Sequence, residues 1–388
     1  MQQLLTGARI FTGDRFLDNT ALVIDDDTIF SLPENDNVVQ DFPEASRINL
    51  NGGILAPGFI DLQVNGGGGA FFTNDPSVQA LRTMLDGHRP TGTTSMLPTL
   101  ISNTRPTHQA GVKAVRDAQD QGYKGILGVH IEGPFFDLDK RGAHNADYIR
   151  PLDQGDLDWL TDINDTRVML TLAPEHTQAG QIRQLTEAGI IVCAGHTNAH
   201  YQQVTQAIKE GLSGFTHLFN AMRPQTGREP GVVGAALDSA DTWCGIICDN
   251  HHVHPASVRV ALNAKTPGKV YLVTDAMSTV GSDTKSFTIY GEEIFEKDGA
   301  LVNAEGRLAG SAIGMIDAVR IAYRDMNVPL EESLRMASLY PAEYLKMDQT
   351  LGRIASNYRA DLVHFNEQFN VTATWVAGSM QSHLPAEQ

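Results

Sequence analysis

Four residues carry the chemistry this sequence most plainly offers. Glu132 stands in "GVHIEGPF", His196 in "AGHTNAH", His217 in "FTHLFNAM" and Asp275 in "VYLVTDAM". Two imidazoles and one carboxylate make a three-ligand set that leaves a fourth position for water, which is how a catalytic zinc is held. A further carboxylate beside such a centre can take a proton from water and later return it to a leaving group. Taken singly, each residue has an ordinary reading, the histidines as hydrogen-bonded structural side chains and Asp275 as a helix cap. What separates them from that reading is position, because each follows a short apolar run. Nine of the 13 histidines fall between residues 130 and 254, so the imidazoles cluster where these runs end.

The elements that must position these groups alternate. Apolar runs over 58–64, 94–99, 126–131, 168–173, 190–194, 214–218, 244–248 and 270–274 read as strands. Between them "PSVQALRTMLDGHRPTG", "TRPTHQAGVKAVRDAQDQG" and "TQAGQIRQLTEAG" have helical spacing and close near glycine. Eight such units predict an α/β chain folded as a (β/α)8 barrel with its chemistry at the C-terminal strand ends. An open, doubly wound sheet is the alternative. The strand ends read, in order, Gln63 and Asn65, His130 and Glu132, Glu175 and His176, His196, His217, the His251-His252-His254 group, and Asp275. Short β segments flank the barrel, including a hairpin turning at Asp25-Asp26-Asp27. They predict a small β-sandwich domain from residues 1–55 and 350–388, with the barrel at 56–349.

Composition narrows the setting. The chain has 388 residues and a formal net charge of −17, which disfavours nucleic acid and anionic membranes as partners. An anionic substrate would therefore need a local basic site. Three cysteines in so long a chain predict reduced thiols and a cytoplasmic protein. The start lacks a signal-peptide layout, and no apolar run approaches the roughly 18 residues of a membrane span.

The order and length of several motifs add a resemblance. "LAPGFIDLQVNG", "GVHIEGPF", "GAHN", "AGHTNA", "THLFNAM", "DNHHVHP", "LVTDAM" and "LAGS" closely resemble the amidohydrolase superfamily, and within it the deacetylases of N-acetylglucosamine 6-phosphate. The closing "YPAEYL" and "GRIASNYRADLVHF" are similar to the superfamily's return into its small β domain. The resemblance implies a metal-dependent amidohydrolase barrel that hydrolyses the acetamide of this sugar phosphate to the free amine and acetate. Superfamily members often place His-x-His on the first strand for a second metal, whereas this chain has Gln63-Val64-Asn65. That departure favours one divalent ion on Glu132, His196 and His217, zinc first, with iron, cobalt, nickel or manganese also fitting. Gln63 and Asn65 are left near the metal.

The resemblance further implies Asp275 as the proton carrier and His144, with Ala143, beside the sugar and acetamide. It places Asn220, Ala221, Ala309, Gly310 and Ser311 around the ligand, and Arg228 and His252 on the phosphate. A homodimer with one phosphate contact crossing between chains is implied as well. The galactosamine epimer is the nearest rival substrate, and a barrel without chemistry is the non-enzyme alternative. Weaker signals have plainer readings. Gly66–Gly69 lacks the Lys-Ser/Thr of a phosphate loop and reads as a flexible connection. Cys244 and Cys248 read as buried small hydrophobes. Glu175 and His176 are open as lining residues, and 287–311 reads as an inserted hairpin over the mouth.

Overall fold

A computed structural model describes residues 2–33 and 38–383. Residues 384–388, the end of the expected small-domain range, lie outside the described residues, as do Met1 and 34–37. Eight parallel strands form one sheet: β1 (Phe59–Val64), β2 (Thr93–Ile101), β3 (Val129–Glu132), β4 (Val168–Leu172), β5 (Ile191–Ala194), β6 (Gly214–Phe215), β7 (Trp243–Ile247) and β8 (Val270–Val273). They pair in sequence order from β1 to β8. These strands are covered on both faces, which is why they read as continuous apolar runs. The sheet closes through a parallel bridge between Val64 and Ala276 and a hydrogen bond from the Asp275 backbone N–H to the Gln63 carbonyl, 3.0 Å. That seam excludes the open-sheet alternative.

The helices begin where the sequence supplies caps. Ser77 accepts from the Ala80 N–H to start α1 (Val78–His88), and Thr104 accepts from Thr107 to start α2 (Arg105–Asp120). Asp153 and Asp156 form a capping box at α3 (Gln154–Thr161). Next come α4 (Gln181–Glu187), α5 (Tyr201–Lys209), α6 (Gly231–Asp238), α7 (Pro255–Ala264) and α8 (Met315–Arg324).

Two expectations are corrected here. The segment after β8 is a four-stranded antiparallel sheet (Ser286–Ile289, Glu292–Lys297, Ala300–Val302, Leu308–Ser311) rather than a single hairpin. Its apolar side packs Ile289, Ile294, Leu301 and Ala309 against Phe71, Ile101 and Met277 at the barrel mouth. The glycine run after β1 is a paired turn whose first two glycines are buried. Gly66–Gly67 pairs antiparallel with Ala70–Phe71, and a Cβ at Gly66 would lie 2.4 Å from the Ala70 carbonyl oxygen.

The chain ends build two further sheets. Thr28–Ser31, Leu22–Asp25, Gln2–Thr6 and Ser46–Asn49 form one. Ser379–Ser382, Val371–Val376, Leu362–Phe365, Ile54–Pro57, Arg9–Phe11 and Phe16–Leu17 form the other. Leu5, Ile10, Leu22, Ile24, Leu55, Leu362 and Trp375 fill the space between them. Among the described residues, no helix is long and apolar enough to cross a membrane.

One charged node braces the long connection after β3. Asp156, almost wholly buried, accepts from Arg105 Nε at 2.7 Å and from both terminal nitrogens of Arg150. Burial alone would raise the Asp156 carboxyl, but the bonds from Arg150 and Arg105 outweigh it and bring its pKa to about 2. A carboxyl depressed in the folded state contributes stability above its ordinary range, and that contribution is lost as pH falls through about 2. Both arginines are about a third exposed, which moderates the buried-pair energy. Asp156→Asn is expected to lose about 2 kcal/mol at pH 7. Urea unfolding of both proteins should show the gap narrowing as pH is lowered from 5 toward 3.

Candidate functional site

Residues two apart on a strand share a face, so His130 and Glu132 on β3 both point into the barrel. His130 lies 2.7 Å from the Thr171 hydroxyl and 3.4 Å from that of Thr99, and Thr171 reaches Thr216 at 2.6 Å. These groups form a satisfied polar layer beneath the mouth. Burial holds His130 neutral, with its pKa brought to about 4. Glu132, one step higher, stands at the mouth itself.

His196, His217 and Asp275 each lie just past the end of their strand, and all three have left-handed backbones, with φ of 50°, 33° and 53°. Such values are unusual for residues with a side chain. They turn the chain sharply at β5, β6 and β8, where the three side chains converge with Glu132. Glu132 Oε1 lies 3.0 Å from His217 Nε2 and 3.3 Å from His196 Nε2, and the two imidazole nitrogens are 3.0 Å apart.

This geometry fits a divalent cation. His196 Nδ1 lies 2.8 Å from the Lys140 carbonyl oxygen and donates to it, so its Nε2 presents a lone pair to the cluster. Lone pairs on two imidazoles and a carboxylate this close repel unless positive charge sits among them. Burial opposes ionisation of Glu132, yet the adjacent imidazoles of His196 and His217 hold its carboxyl well below the usual range. Burial pushes His196 down despite Glu132; for His217 the bond to Glu132 outweighs burial and raises it. His217 Nδ1 is buried without a partner.

Gln63 bridges the cluster to Asp275, its amide donating to Glu132 Oε1 at 3.0 Å and to Asp275 Oδ1 at 3.2 Å. Asn65 donates to the same Asp275 oxygen at 2.6 Å. Burial, and then the charge of Glu132, raise the Asp275 carboxyl to about 7, a range suited to moving protons near neutrality.

The cleft over this cluster is lined by Asn65, Glu132, Ala143, His144, His196, His217, Asn220, Ala221, His252, Asp275, Ala309 and Gly310, together with Ile101, Ile247, Met277 and Leu308. Gly310 has φ of +66°, and a Cβ there would come within 2.8 Å of the Asp275 carbonyl oxygen. His144 Nδ1 accepts from the Ser102 backbone N–H, 3.2 Å, and faces its hydroxyl at 2.8 Å. Its proton therefore sits on Nε2. Burial and the neighbouring His196 bring its pKa to about 3, so it is a neutral donor. His252 is oriented by Asp249, 2.6 Å from its Nδ1.

Some expected residues fall elsewhere. Ser311 does not line the cleft; its hydroxyl donates to the Thr274 carbonyl. Arg228 is exposed on the 223–230 connection and does not line this chain's own cleft. Glu175 accepts from the Thr197 hydroxyl and the Asn198 N–H, and His176 pairs with Asp137. Neither reaches the mouth, because the 3-10 turn at Pro174–His176 directs them outward. Ser102, Asp249 and the Lys140 carbonyl were missed. Ser102 and Asp249 follow β2 and β7, so the strand-end rule could have found them; a backbone carbonyl leaves no such trace.

Substitution separates metal holding from proton transfer. Glu132→Gln should lose divalent metal on dialysis against a chelator, while Asp275→Asn should retain wild-type metal content by elemental analysis.

Residues 54–380 match the amidohydrolase family. N-acetylgalactosamine-6-phosphate deacetylase of Shewanella sp. (strain ANA-3) is 40% identical over 96% of this chain and 94% of its own length. N-acetylglucosamine-6-phosphate deacetylase of Haemophilus influenzae (strain ATCC 51907 / DSM 11121 / KW20 / Rd) is 37% identical over 87% of this chain and 88% of its own. The crystal structure of N-acetylglucosamine-6-phosphate deacetylase from Pasteurella multocida superposes with a TM-score of 0.94 at 39% identity, covering 99% of this chain and all of that one.

Proposed function

The chain belongs to the amidohydrolase family, and from that premise we propose that it deacetylates N-acetyl-D-glucosamine 6-phosphate to D-glucosamine 6-phosphate and acetate. The observation that carries this reading is the convergence of Glu132, His196, His217 and Asp275 under a cleft that also presents His144 and His252. The barrel kept all four groups, which disfavours a scaffold without chemistry. In our reading residues 1–55 and 350–388 support the barrel at 56–349. The reaction serves amino-sugar catabolism and recycling of cell-wall sugars.

Glu132, His196 and His217 would hold one divalent metal per chain. Zinc suits two imidazoles and a carboxylate, and iron, cobalt, nickel or manganese fit the same donors. When bound, the metal supplies Lewis acidity toward the acetamide carbonyl and water. The side chains do the rest. Asp275 Oδ1 is held by Gln63 and Asn65, leaving Oδ2 to take the proton from water as it attacks the carbonyl carbon. His144 Nε2–H donates to the carbonyl oxygen as negative charge develops there. Asp275 then delivers the proton to the nitrogen as the C–N bond breaks, which releases the amine and leaves acetate.

Ala143, Asn220, Ala221, Ala309 and Gly310 would surround the sugar, with Ser311 bracing the Thr274 backbone behind them. His252 meets the 6-phosphate, and this basic spot answers the overall charge of −17. Arg228 is exposed away from its own cleft, which supports a homodimer in which it reaches the phosphate of the neighbouring chain. The three cysteines are buried and unpaired, and burial raises Cys193 and Cys244 to about 12; such thiols suit the cytoplasm. The second reading, the galactosamine epimer, is favoured by the 40% identity to the Shewanella enzyme.

Acetate release from the two epimeric sugar phosphates, measured on metal-loaded protein, tests the substrate. Faster release from the glucosamine compound supports the first reading, the reverse supports the second, and none from either overturns both. Asp275→Asn should abolish turnover yet bind ligand nearly as the wild type does. Mixing inactive Asp275→Asn and Arg228→Ala chains should restore about a quarter of the wild-type rate, because half the dimers then hold one complete site. No recovery would show that Arg228 does not act across the dimer.

A further inference from the structure

Asn65 lies at the seam where the barrel closes. Its backbone N–H and that of Gly66 both donate to the Ala276 carbonyl, at 2.9 and 3.1 Å, and Val64 bridges Ala276. From behind, the buried His88 donates Nε2–H to the Gly66 carbonyl at 2.8 Å. The Asn65 backbone is therefore pinned to the strand end that carries Asp275.

The side chain is wholly buried and lines the cleft. Its Nδ2 donates to Asp275 Oδ1 at 2.6 Å, whereas its Oδ1 is buried without a hydrogen-bond partner. Leaving a buried amide oxygen unpaired is costly. The flipped amide would set that oxygen against the Asp275 oxygen, two acceptors in contact. The fold thus keeps an unpaired acceptor in order to place a donor on Asp275. Gln63 also reaches this oxygen, but from farther away and while serving Glu132. Among the described residues, Asn65 makes no hydrogen bond to the three metal-holding side chains.

We propose that Asn65 is a positioning residue: it anchors Asp275 Oδ1 independently of the metal, so that Oδ2 points at the reacting water and nitrogen. The inference rests on the reading of Asp275 as the proton carrier. Because Asn65 acts on Asp275's aim, its loss should slow the chemical step without weakening substrate or metal binding.

The test compares wild type, Asn65→Ala, Asn65→Leu and Asp275→Asn as metal-loaded proteins. Acetate release from N-acetylglucosamine 6-phosphate or its galactosamine epimer, whichever the wild type prefers, is read with metal content. Leucine has nearly the shape of asparagine and keeps the packing if alanine unfolds the turn. The expected result is kcat lowered about 100-fold in both Asn65 variants, with KM and metal content within about twofold of wild type. Unchanged kcat in either folded Asn65 variant, with Asp275→Asn inactive, overturns the role of Asn65 alone. Loss of metal in step with kcat in both variants also overturns it, since that marks a structural role. An active Asp275→Asn overturns the reading of Asp275 itself, and the inference with it.

Discussion

Everything at the mouth of this barrel follows from three electron-rich atoms held together. Glu132 Oε1, His196 Nε2 and His217 Nε2 lie within 3.3 Å of one another in a buried setting. Such an arrangement is unfavourable by itself and becomes favourable when positive charge occupies its centre. The protein sustains it by bringing each atom from a different strand and fixing each from outside. The Lys140 carbonyl orients His196, Gln63 donates to Glu132, and sharp left-handed exits turn both histidines inward. A rigid sheet covered on both faces can bear that strain, whereas a loop alone would relax it.

The same logic extends outward. His144 is held with its proton on Nε2 by Ser102, and its low pKa keeps it a neutral donor. Asp275 shares one oxygen with two amides across the β1–β8 seam, so the closure of the barrel and the aim of the carboxylate are one structural event. The connection carrying His144 ends at Arg150, where the Asp156 node ties it to α2 and α3. The inserted sheet adds Ala309 and Gly310 from the opposite side, so the cleft has walls from both before β4 and after β8.

Much of this was legible in the sequence. Chemistry-bearing residues stand at strand ends, and strand ends can be counted from apolar runs separated by helical periods; Glu132, His196, His217 and Asp275 emerge from that count. The barrel and its order follow from the same alternation, since parallel strands need covering helices. The resemblance of long ordered motifs added the family and the residues around the ligand. Gly66–Gly69 and 287–311 were read too simply, because pairing with a distant segment decides whether a glycine run is loose and how many strands an insertion forms.

Residue type and spacing thus determined by themselves which groups could act, and on which elements. Only the tertiary structure decided how they meet. It turned Glu175 and His176 away, left Arg228 outside its own cleft, and put Asn65 and Gln63 on one oxygen of Asp275 across more than 200 residues of chain. The physical reason is that local sequence sets backbone preference over a few residues. Hydrogen-bond direction, burial and the repulsion of like lone pairs are instead settled between groups that chain closure brings together.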